Sequence, residues 1–161
     1  MKRSSIALAA VCVVLITMPV AAGAAGSTSK SLTFHLVEKQ TAFNFIDNPP
    51  RQGFNQPPLI GDQFAFTSNL MTKSGSHAGV LDVSCTITRG GIHATGPCSG
   101  VFSFQGGQLI GMARVAFSNA ATEVVIVGGT GVYRGATGYI TSVSRGENSP
   151  FSDDAFHILL P

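Results

Sequence analysis

Runs of alternating apolar and polar residues, broken by glycine-rich turns about every 11 residues, fill nearly the whole chain from Ser31 onward. No segment sustains a helical period, and that spacing between turns belongs to an all-β barrel or sandwich. The runs read as eight strands: 31–38, 61–72, 77–88, 94–105, 108–118, 122–127, 137–144 and 154–160. The alternation is plain in the third, where Leu81, Val83, Cys85 and Ile87 share one side and Asp82, Ser84, Thr86 and Thr88 the other. Consecutive strands joined by short turns favour an all-β, eight-stranded antiparallel up-and-down barrel, whose closure also removes exposed edges. A β-sandwich is the alternative.

The densest turn signal is Val127-Gly128-Gly129-Thr130-Gly131-Val132-Tyr133-Arg134-Gly135-Ala136-Thr137-Gly138-Tyr139. So much glycine between two strands means that the backbone turns sharply or passes close to another segment. It is not a nucleotide loop. A dinucleotide fingerprint beginning Gly129-x-Gly131 would need glycine where Arg134 stands, and a strand follows rather than a helix.

The first 24 residues read as a secretory signal peptide rather than as part of the fold. Lys2 and Arg3 precede an apolar run from Ile6 to Val20, and small residues follow up to Ala24, the expected cleavage point. Residues 25–161 then form one domain, an exported one with no membrane association once the signal is cleaved. Loss of Lys2 and Arg3 leaves eight basic residues against eight acidic ones, so the net charge falls near zero. No basic patch remains to attract nucleic acid or an anionic membrane. Of the three cysteines, Cys85 and Cys98 survive processing, and an even pair in an oxidising compartment is a disulfide candidate. Both positions are symmetric about 91.5, beside the turn centred near Gly91, so a hairpin there sets them opposite each other, within bridging reach.

Residues 40–60 break the rhythm. Pro49-Pro50 and Pro57-Pro58 exclude a long helix, yet Phe43, Phe45, Ile46 and Phe54 are apolar. The stretch reads either as a lid or collar, or as a surface crossing with its aromatics tucked into the edge of the core.

The residues Val127 to Tyr139 resemble the Val-Gly-Gly-Thr-Gly-x-(aromatic)-x-x-Ala-x-Gly signature of the dirigent proteins and of relatives with the allene oxide cyclase barrel. Gly61-Asp62 at the second strand and the hairpin Gly100-Val101-Phe102-Ser103-Phe104 through Gly106 to Gly111 are also similar, and the likeness spans Leu32 to Leu160. It implies an eight-stranded barrel with an apolar cavity, assembly into dimers or trimers, and an apolar small molecule as partner. It also implies no cofactor: the cavity folds a reactive substrate into one pose and sets polar groups where charge develops. The activity implied is that of a cyclase or isomerase, or of a stereochemical guide. One position departs from the pattern, since Thr137 stands where dirigent proteins usually carry arginine.

Candidate site residues come from charges set among apolar neighbours. Asp82, Arg114 and Glu123 either point into the barrel, where a charge must be paired and marks a site, or point out to water. Arg134, Tyr133 and Tyr139 lie at the glycine stretch, where they could line a cavity mouth. His35, His77, His93 and His157 are scattered singly, without metal-ligand spacing, and no Gly-x-Ser-x-Gly elbow occurs. Three functions compete: a cofactor-free cyclase or isomerase, a lipocalin-like carrier, and a structural secreted protein with a filled barrel. They differ in the cavity. A filled interior leaves only the last, an open apolar one suits the carrier, and an open one with an inward charge suits the cyclase.

Overall fold

The computed structural model describes residues 29–48, 56–116, 120–146 and 148–161. The signal segment lies outside the described residues, as does Phe54. Eight antiparallel strands follow one another as β1 (Lys30–Ile46), β2 (Gln63–Met71), β3 (His77–Thr86), β4 (Thr95–Phe104), β5 (Gly107–Ala116), β6 (Ala121–Gly129), β7 (Thr137–Ser144) and β8 (Phe151–Leu160). Each pairs with the next, and β1 also pairs with β8 over its first ten residues, from Lys30↔Leu160 to Lys39↔Phe151, so the barrel closes. The up-and-down barrel is therefore the architecture, and the sandwich is not. One turn of 3-10 helix, Gly131–Tyr133, sits between β6 and β7.

The largest departure from the sequence reading is β1. It does not end at Glu38 but runs on to Ile46, pairing with β2 through Phe45↔Phe64 and Ile46↔Gln63. A β-bulge between Gln40 and Ala42 makes this possible. Before the bulge the even residues Leu36, Glu38 and Gln40 face the interior; after it Phe43 and Phe45 do. The extra residue reverses the phase of the alternation, which makes two half-strands look like a strand followed by a loop. The other bounds shift by a few residues, and β7 spans the expected range.

The described residues after the gap, 56–60, pack beside the β3–β4 turn. The Gly91 amide donates to the Pro58 carbonyl (2.8 Å), and Gly61 and Asp62 exchange backbone hydrogen bonds with Ile87 (2.9 and 2.8 Å). The buried Asp62 carboxylate accepts from the amides of Asn48 (2.9 Å) and Leu59 (2.7 Å), clasping the segment's two ends.

The interior is unevenly filled. At the end holding the β2–β3, β4–β5 and β6–β7 turns, Phe34 and Phe156 stack with ring centroids 4.5 Å apart, and Phe102 and Phe104 meet Phe156 edge-on at 5.5 and 5.9 Å. Leu36, Leu70, Leu81, Leu109, Ile126 and Ile140 complete this plug. Burying each such side chain stabilises the fold by about 1.5–3 kcal/mol. A smaller cluster of Phe64, Ile87, Ala94 and the Cys85–Cys98 disulfide lines the other end. Cys85 and Cys98 are direct cross-strand partners, as the hairpin arithmetic requires.

The glycine stretch forms a corner of the barrel. The Val132 amide donates to the Gly106 carbonyl (3.0 Å) and that of Thr130 to Gln108 (2.8 Å), folding the stretch over the β4–β5 turn. At Gly131, φ is +59°, and a Cβ there would run into the Gly106 carbonyl oxygen, so glycine is required twice over.

Candidate functional site

Between the aromatic plug and the opposite end lies a cavity of about 370 Å³. Its space comes from small inward residues. Gly100 and Gly111 are cross-strand partners on β4 and β5, and Ala113 follows Gly111 on the same face. Leucine or phenylalanine at those positions would fill the room. The cavity reaches the barrel end where β7 and β8 are joined, since Ser149 and Pro150 also line it.

One wall is polar. Asp154 on β8 pairs with Ser142 on β7 and with Leu36 on β1, while Glu38 on β1 pairs with Ser152 on β8. Glu38 and Asp154 are thus diagonal neighbours on adjacent strands, both pointing inward. On the other side of Glu38, the buried Ser68 of β2 donates its hydroxyl to Glu38 Oε1 at 2.6 Å. A band of hydroxyls and carboxyls therefore crosses β7, β8, β1 and β2, opposite the apolar wall of β3 to β6.

Asp154 is the anomalous group. Its side chain is 2% exposed, and neither carboxyl oxygen has a hydrogen-bond partner among the described residues. An ionised carboxylate so placed is costly, so burial favours the protonated form. Burial first, and the nearby Glu38 charge second, push its pKa up to about 7. Ser142 lies close enough to offset this in part without completing a hydrogen bond of good geometry. Burial also raises the pKa of Glu38, against the hydrogen bond from Ser68. Two inward carboxyls lining one cavity, one of them poised near neutrality with its oxygens unsatisfied among the described residues, are an arrangement suited to acid–base work. Such a group can donate a proton or a hydrogen bond to an oxygen or nitrogen held against that wall.

The site residues expected from sequence lie elsewhere. Asp82 is exposed on the outer face and accepts from Thr67 Oγ1 at 2.8 Å. Arg114 is exposed and donates to Thr95 Oγ1 at 3.0 Å; Glu123 is likewise exposed. All three follow the outward phase of their strands, the solvent-facing reading of those charges. Arg134 is exposed beside the 3-10 turn. Tyr133 packs on Phe104 with centroids 5.7 Å apart, so it caps the plugged end rather than a mouth. Tyr139 faces outward and stacks on His157 at 4.7 Å. Thr137 is exposed too, so the missing arginine leaves the cavity wall unchanged. The structure brings none of these together in the cavity.

Glu38 and Asp154 were nonetheless signalled in the sequence. Glu38 continues the face of Leu32, Phe34 and Leu36, and Asp154 begins the face of Phe156, Ile158 and Leu160. A carboxylate in phase with an apolar strand face is the informative pattern; a charge flanked by apolar residues one position away points to the opposite side.

No protein-family model matches the sequence, and comparison with curated proteins finds no match. Solved structures do match. A pterocarpan synthase dirigent protein superposes with a TM-score of 0.67 at 17% identity, over 81% of this chain and 90% of its own. The fold is that of the allene oxide cyclase and dirigent barrels. Pyocyanin demethylase matches with a TM-score of 0.65 at 20% identity, over 78% of this chain and 99% of its own. An exo-specific intermolecular Diels–Alderase matches at 0.63 and 14%, over 83% and 99%. Identities this low establish a shared barrel and leave the chemistry to the cavity.

Proposed function

We propose that this protein is an exported cyclase or isomerase, or a stereochemical guide, that folds an apolar small molecule inside its barrel and protonates or hydrogen-bonds it through Asp154. The observation that carries this reading is the unpartnered, buried Asp154 carboxyl facing an open cavity. A structural protein with a filled barrel has no use for that space, and a simple carrier has no need of a buried acid that destabilises its own fold. Orientation between apolar walls and one placed proton donor suffice for an isomerisation or cyclisation, without any cofactor. Neighbours on the same barrel include a dirigent protein and a Diels–Alderase, which supports a role of this kind. The disulfide supports a location outside the reducing cytoplasm.

Native mass spectrometry of the protein from its own host, and incubation with that host's small-molecule extract, test the reading. A bound small molecule is expected, along with conversion of an extract component to a product of equal mass. Ala113→Leu should abolish both. Asp154→Asn should keep binding but slow conversion by about 10²–10⁴-fold. Binding without conversion by the unaltered protein would make it a carrier; neither binding nor conversion would leave the structural role.

A further inference from the structure

We infer that the cavity selects its ligand by charge, taking uncharged or cationic molecules with a flat ring body and turning away carboxylates and other organic anions. This rests on the cavity being the ligand site. Among the described residues lining it, the ionisable groups are Glu38 and Asp154, both acidic, and no lysine, arginine or histidine side chain joins them. Three described basic groups toward that end are engaged outside. Arg145 pairs with Asp153 at 2.7 Å, Lys39 is exposed over the Phe151 ring, and Arg114 bonds Thr95. An anion entering would lose its hydration, meet no counter-charge and face one or two negative charges across a poorly screened gap.

A cation or a neutral acceptor meets the opposite situation. Asp154 offers two oxygens with no hydrogen-bond partner of good geometry among the described residues. Ionised, they would accept from an ammonium or a protonated ring nitrogen; protonated, the group would donate to a carbonyl or ether oxygen. The far wall of Gly100, Gly111 and Ala113 is smooth, and Phe43, Phe64 and Phe66 offer rings on which a planar body can stack. A volume of about 370 Å³ is at the small end for ligand cavities, which suits a compound of a few fused rings.

Three probes of one size test this on the full protein at pH 8 by isothermal titration calorimetry: 2-acetonaphthone (neutral), 2-naphthylmethylamine (cationic) and 2-naphthoate (anionic). The ketone and the amine should bind, with naphthoate at least tenfold weaker than either. In the Glu38→Gln/Asp154→Asn double variant, naphthoate should come within about threefold of the ketone. Glu38→Gln alone, which leaves Asp154 intact, should move it part of the way and serves if the double variant does not fold. Naphthoate binding as tightly as the ketone, or a preference unmoved by these variants, would overturn charge selection while leaving the cavity as the ligand site. Failure of all three probes to bind, with Ala113→Leu changing nothing, would overturn the cavity reading and charge selection with it.

Discussion

At the scale of single residues, Asp154 costs the protein stability in a way that pH reveals. An acid whose pKa rises from 3.8 to about 7 on folding holds its proton more tightly in the native state than in the unfolded one. Its stabilising contribution is complete below about pH 4 and is lost as pH rises through 7. Glu38, also raised, acts in the same direction. Urea unfolding should therefore show the protein more stable at pH 5 than at pH 8, by about 2.5 kcal/mol from Asp154. Asp154→Asn should flatten most of that difference; a slope unchanged in the variant would mean that the carboxyl is not held neutral. Gly128 and Gly129 make a second residue-scale contrast. A Cβ at Gly129 would lie 2.5 Å from the Tyr133 carbonyl oxygen and 2.6 Å from that of Gln108, whereas at Gly128 nothing lies within 4 Å. Gly129→Val should cost more than about 2 kcal/mol in a denaturant titration, and Gly128→Val less than about 0.5 kcal/mol. Adjacent in sequence, the two glycines look alike. What separates them is the close approach of neighbouring backbone at Gly129, and not a positive φ.

At the scale of elements, the β3–β4 hairpin and β1 show how far strand reading carries. The hairpin was legible because its turn is marked by glycines and its cysteines are symmetric about 91.5, beside Gly91. Intact-mass measurement without reductant should find the chain lighter by the two thiol hydrogens, and reduction of this 13-residue separation should lower stability by about 3 kcal/mol. A chain with two free thiols would remove the staple. β1 was only half legible. Period-two alternation is a local signal, and the bulge after Gln40 breaks its phase without breaking the strand. The aromatics Phe43 and Phe45, which suggested a lid, instead continue the wall, and Phe43 lines the cavity against Phe64 at 6.0 Å between ring centroids.

At the scale of the whole molecule, barrel closure is what makes a site. Glu38 and Asp154 come from near opposite ends of the chain and become neighbours because β1 pairs with β8. The aromatic plug closes one end, the small residues of β4 and β5 open space above it, and the carboxyls line that space. Only this combination separates a barrel with an acid-lined cavity from a filled one, since filled and open barrels can share the same strand pattern. For the same reason the charges singled out from sequence, Asp82, Arg114 and Glu123, turned outward while the informative pair went unnoticed. Their apolar sequence neighbours point into the core and leave them facing water.

By itself the sequence determined the eight strands, their antiparallel order, the glycine corner and the disulfide. Each of these rests on alternation or turn chemistry that acts over a few residues. Only the tertiary structure decided where β1 ends, that the interior holds a cavity, and which charges line it. Those outcomes depend on the phase of each strand relative to a closed wall and on the volume left when eight inward faces meet. Neither quantity belongs to any one segment of the chain.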